Sequence, residues 1–354
     1  MFSVTYQRAI AAHEEFWKRE KRTRPLLSIQ TWPQKPFRAP VSLEQKWLDE
    51  DYILAAARYE AENSYYAGEA VPRLFTNLGP GCMAACMGTG YWLAESTVWF
   101  DRAPIMTDWA EQPSLHLDRE SEMWRHLDRL QTAFYADGEI NASATDIGGV
   151  MDVLCSLRGT ENLLYDLYDY PEEVKAASEQ ITDLWLEVFD QQMALAERAG
   201  QPYNTWMNLP SLQPWYPLQC DFCAMISPRQ FEEFVLPHLA RQVAHMPRSI
   251  YHLDGPGELP HIDMILELEG LSGIQWVPGD GEAPLWDEKW FPLYRKIQDK
   301  KKNLVLGPGI SQYDEAGAER LIKSIDPVGV QIAASASDPA AAECMIENVE
   351  KWSS

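Results

Sequence analysis

Histidine and aspartate stand two residues apart in Ser249-Ile250-Tyr251-His252-Leu253-Asp254-Gly255-Pro256-Gly257, where a short apolar run breaks into glycine and proline. Residues i and i+2 of a β-strand face the same side, so His252 and Asp254 project into one place. The pair has three readings. Aspartate can orient an imidazole that moves a proton. The two can belong to a metal site. Or Asp254 caps the Gly255-Pro256 turn while His252 is a satisfied core histidine. As a zinc site the pair is incomplete, because zinc takes about four ligands. The next two strand ends offer Gln275, Trp276 and Gly307. The sequence therefore predicts no metal.

Other residues compete for a chemical role. Asp146 follows a short strand and precedes Gly148-Gly149, where a backbone or ligand can come close. Arg158, twelve residues on, either binds an anionic group with Asp146 or pairs to hold an irregular loop. The glycines form neither a dinucleotide fingerprint nor a P-loop. Cys220-Asp221-Phe222-Cys223 is a lone CxxC without redox or second-half zinc context, which makes Asp221, beside aromatics and a helix start, the more interesting residue. Cys82, Met83, Cys86 and Met87 recur at helical spacing and predict close helix packing.

Something must position these groups. Apolar or β-branched runs alternate with amphipathic helices along the chain. The runs at residues 25–32, 96–101, 139–146, 202–208, 249–254, 272–277, 303–307 and 329–335 read as strands. Ser227-Pro228 starts one helix, and Gly200 stops another. Eight alternating units in one undivided chain predict an α/β fold, a (β/α)8 TIM barrel spanning residues 25–354 behind an N-terminal helical extension at 1–24. Polar groups at the strand ends would then share one mouth. These are Gln30, Trp32, Asp101, Asp146, Asn204, Trp206, Asn208, His252, Asp254, Gln275, Trp276, Ser335 and Ser337, with about half expected to touch a small molecule.

The formal net charge of -23 repels phosphates and argues against nucleic acid or an anionic membrane as partner. No apolar run reaches the ~18 residues of a membrane span. The charged N-terminus lacks the apolar block of a signal peptide, and the six scattered cysteines read as reduced thiols, so a cytoplasmic location is expected.

The chain resembles the uroporphyrinogen decarboxylase superfamily, which includes corrinoid-dependent methyltransferases. The resemblance is carried by residues 146–174, residues 220–243 with their "SPxxFxxFxxP" helix, and residues 249–279. It covers roughly the whole chain beyond the first helix and implies the barrel scaffold. The true decarboxylase carries an arginine-rich "RQAGR" loop for its many substrate carboxylates. The corresponding stretch here has Gln30, Trp32 and Lys35, with Arg38 the one arginine nearby. The zinc-dependent methyltransferases carry His-x-Cys and a further cysteine on the last strand. Here Asp254 replaces the first thiolate, and residues 330–337 contain no second one.

What the resemblance implies is the zinc-free methyltransferase branch. Such an enzyme exchanges a methyl group between a corrinoid, visiting on a partner protein, and a small molecule such as tetrahydrofolate or a methylated compound. His252, Asp254 and Asp146 would be catalytic, and Gln30, Trp32, Asn204, Trp206, Asn208, Asp221, Gln275 and Trp276 substrate-binding. Three other readings stand beside it: a hydrolase or lyase acting on a polyhydroxylated substrate, a decarboxylase-like enzyme for a non-porphyrin acid, and an inactive ligand-binding barrel.

Overall fold

Neighbouring residues of the central strands lie in two different surroundings, as alternation requires. Leu26, Ile250 and Val305 pack in one small cluster with Phe16, Trp17, Met207, Leu209 and Trp215. Leu27, Ile29, Tyr251, Leu253, Ile274, Trp276, Leu304 and Leu306 join the large core beneath the helices. The computed structural model describes residues 4–100, 104–111, 114–310 and 314–354.

The strands are β1 (Leu26–Thr31), β2 (Tyr65–Gly68), β3 (Arg73–Phe75), β4 (Trp92–Leu93), β5 (Val98–Trp99), β6 (Asn141–Ser143), β7 (Trp215–Leu218), β8 (Arg248–Asp254), β9 (Gly273–Val277), β10 (Asn303–Ile310) and β11 (Val330–Ser335). Seven form one sheet in the order β2-β1-β11-β10-β9-β8-β7. The pairs from β7 round to β1 are parallel, and β2 adds antiparallel to the β1 edge. A second parallel pair joins β3 to β6. This is a mixed α/β fold built on a parallel sheet, with helices between its strands.

The closed ladder expected from the sequence is not observed. Among the described residues the sheet is open between β6 and β7 and between β1 and β3. At the first gap Tyr216 bridges in place of a backbone ladder. Its hydroxyl donates to the Thr145 carbonyl at 2.6 Å and accepts from the Ile147 amide at 2.9 Å. The Ala144 amide reaches the Asn204 carbonyl at 2.9 Å.

Two expected strands fail. Residues 96–101 hold only β5, a two-residue partner of β4, and Asp101 lies outside the described residues. Residues 202–208 are a loop with a single bridge from Tyr203 to Ser211. In their places stand β3 and β7. Proline has no amide to give a ladder, and β7 carries Pro217 at the sheet edge, where this is tolerated.

The helix Pro171–Ala199 ends as expected on Gly200, whose φ of 61° is left-handed. The helix begun by Ser227 has a full capping box with Gln230, then breaks before Pro237 into Pro228–Phe234 and Leu236–His245. The N-terminal helix Val4–Trp17 closes one end of the sheet. Its Glu14 forms a buried two-pronged pair with Arg248, at 2.6 and 2.8 Å, and Trp17 donates to the Pro210 carbonyl.

Candidate active site and cation cluster

On β8 the alternate residues Arg248, Ile250, His252 and Asp254 climb from the closed end to the open one. His252 and Asp254 therefore meet, Nε2 to Oδ2 at 3.8 Å. The turn after β7, residues Asp221–Met225, delivers Asp221 to the same spot. Ligand atoms of Asp221, His252 and Asp254 all lie within 4.8 Å of one another. The third group missing from the later strand ends thus arrives from the preceding one.

His252 is held from behind. Its Nδ1–H donates to Gln275 Oε1 at 2.6 Å, and Gln275 Nε2 donates to the Gly307 carbonyl at 2.5 Å. Gln275 is fully buried. With the proton fixed on Nδ1, the Nε2 lone pair faces the two carboxylates. The Trp206 ring meets the imidazole edge to face, centroids 5.0 Å apart.

Further acids crowd this end. Burial pushes Asp146 up to about 6, with Asp221 adding to the shift and the Gly148 amide opposing it. Burial and Asp221 push Asp152 up to about 7, although it accepts from the Asp221 and Phe222 amides and so pins the turn. Asp221 itself is raised by its surroundings and by Asp254, with His252 opposing. Glu258, unsuspected from the sequence, is wholly buried and bonded by the Tyr251 hydroxyl at 3.0 Å. Burial and its neighbours Cys223 and Asp221 push it up to about 11, so it is a neutral acid. The signal for it was an acid one residue beyond the Gly255-Pro256-Gly257 turn.

Not every expected residue belongs here. Trp276 is fully buried on the other face of β9, stacked edge-on to Trp290 at 4.8 Å, because it cannot share a face with its neighbour Gln275. Asn204 and Asn208 bond to each other at 2.9 Å, and Asn208, at φ 51°, reaches the Val71 carbonyl, so both shape the loop. Arg73 secures that loop through the Thr205 and Trp206 carbonyls. Gln30 bonds to Ser64. Arg158 pairs with Asp166 at 2.6 Å and not with Asp146. The CxxC thiols are buried, and Cys82 to Cys86 form a short buried helix.

Trp32 is 55% exposed and lines a different space, a cavity of about 480 Å³ with Phe37, Trp47, Tyr52, Tyr59 and Phe75. Another cavity of about 420 Å³ lies between the helices Glu122–Asp137 and Pro171–Ala199. None of Asp221, His252 and Asp254 lines either one. The polar groups converge at the cluster and not in these two cavities.

No family profile matches the sequence, and no curated sequence matches it. A solved structure shares the fold: a methyltransferase from Methanosarcina mazei, TM-score 0.65, 11% identical, with 99% of each chain covered. Zinc held by thiolates does not fit this chain. The cluster offers two carboxylates and an imidazole, and no cysteine joins it among the described residues.

Proposed function

We propose that the chain is a methyltransferase on a TIM-barrel scaffold. It exchanges a methyl group between a corrinoid on a separate protein and a small molecule such as tetrahydrofolate or a methylated compound. The observation that carries this reading is the Gln275-oriented imidazole facing Asp254 and Asp221 where the strands end, on a fold shared with a methyltransferase. The corrinoid, when bound, supplies or receives the methyl group.

The chain's own task is to align the acceptor and handle its proton. An acceptor N–H, O–H or S–H must lose a proton as it gains the methyl group. His252 Nε2 takes that proton, and the flanking carboxylates stabilise the imidazolium that results. Gln275 keeps the ring in the tautomer this requires. Alignment of donor, methyl and acceptor supplies most of the remaining acceleration. The aromatic cavity beside Trp32 has the volume of a small flat molecule. It is too small for a corrin ring, which must approach from outside.

The test is methyl transfer from methylcobalamin to tetrahydrofolate or a thiol, followed by the corrinoid's visible band. His252→Ala is expected to lower the rate by about 100-fold or more. Absence of turnover with every acceptor, together with absence of cobalamin binding, overturns the reading.

A further inference from the structure

We propose that Asp221, His252 and Asp254 bind one divalent cation of the oxygen- and nitrogen-preferring class, such as manganese, magnesium or ferrous iron. The sequence led instead to an expectation of no metal. This inference rests on the geometry and not on the methyl-transfer reading.

Two segments of chain, β8 and the turn after β7, bring the three ligand atoms within 4.8 Å of one another. Oxygen and nitrogen ligands at about 2.0–2.2 Å from an ion sit roughly 3 Å apart. The two exposed aspartates need only small rotations to close on it. The imidazole is already prepared. A metal-bound histidine characteristically donates its other N–H to a fixed acceptor, and His252 does so to Gln275, itself fixed on the Gly307 carbonyl.

Charge provides a separate argument. Elsewhere the buried carboxylates of Glu14 and Asp166 meet Arg248 and Arg158, and the half-buried Glu69 meets Arg22 and Arg24. Around this cluster Asp146, Asp152, Asp221 and Asp254 crowd together, and among the described residues none pairs with lysine or arginine. A bound cation would meet this one-signed group with opposite charge. Its class follows from the donors, since carboxylate and imidazole without thiolate favour manganese, magnesium or iron over a zinc-thiolate centre. The cluster supplies three ligand atoms and both aspartates are exposed, which leaves positions open for water or a substrate oxygen.

The test is a titration of the full chain, stripped with EDTA, with Mn²⁺, reading free Mn²⁺ by its paramagnetic resonance signal. One saturable site is expected. Asp254→Asn and Asp221→Asn should each weaken it by about 10- to 100-fold or more, and Gln275→Leu by about 10-fold at unchanged stoichiometry. Glu267→Gln, on a surface acid paired with Lys300, should leave it unchanged. Unfolding midpoints in EDTA that match the wild type show that the variants fold. Binding is read without turnover, so failure of the methyl-transfer assay leaves this measurement standing. No saturable Mn²⁺ or Mg²⁺ binding, equal binding in a His252→Gln/Asp254→Asn variant, or a resident Zn²⁺ that Mn²⁺ cannot displace overturns the proposal.

Discussion

The two ends of the parallel sheet treat charge in opposite ways. At the closed end Arg248 and Glu14 are both buried and satisfy each other, and Ser211 and the Leu212 amide complete the bonds. At the open end, a few residues further along the same strand, carboxylates gather around His252 with no lysine or arginine partner among the described residues. One strand thus runs from a completed ion pair to an incomplete cluster. The completed end serves the fold, while the incomplete end costs stability and is the place to look for chemistry.

The sharpest way to break this contrast is at the closed end. Arg248→Met leaves Glu14 buried without its partner and should cost about 3–5 kcal/mol in denaturant unfolding. A small loss there would mean that the pair is not what closes this end.

The open end should respond in the opposite direction, and pH shows the sign. Asp146 has its pKa raised to about 6 in the folded chain, above the unfolded value. The folded state therefore holds the proton more tightly, and stability from this group falls as pH rises from about 4 to about 6, staying low above that. Asp146→Asn removes the titration. Measured in EDTA, the variant should gain on the wild type between pH 4 and pH 7.5, by up to about 3 kcal/mol at roughly 1.4 kcal/mol per pKa unit. Equal stability differences at the two pH values would show that Asp146 is comfortable as an anion.

A smaller effect separates the cluster from the aromatic cavity. Trp32→Ala should weaken binding of a flat heteroaromatic ligand by about 1 kcal/mol, seen by calorimetry, and leave Mn²⁺ affinity unchanged. A matching loss of Mn²⁺ affinity would merge two places that the structure keeps apart.

Much of this was legible beforehand, and the failures have physical reasons. The strands β8 to β11 read clearly because their alternate residues separate a small inner cluster from the large outer core. The same rule, applied strictly, would have excluded Trp276, since adjacent residues cannot both face the mouth. β7 was hidden by Pro217, which reads as a strand breaker unless its edge position is known. The 202–208 run had strand composition but spends its polar groups on itself, with Asn204 bonding Asn208. His252 and Asp254 were found from spacing. Asp221 was noticed, yet its meeting with them is a tertiary fact that no local pattern carries.

Tyr216 gives the seam between β6 and β7 an unusual character. Where neighbouring strands are laced by peptide groups that no substitution can remove, this join relies in part on one phenolic oxygen gripping Thr145 and Ile147. Tyr216→Phe would unfasten both bonds by deleting a single atom while keeping the ring. The wall is therefore editable at that point, and the width of its opening could be altered by selection without any change in chain length or strand pairing.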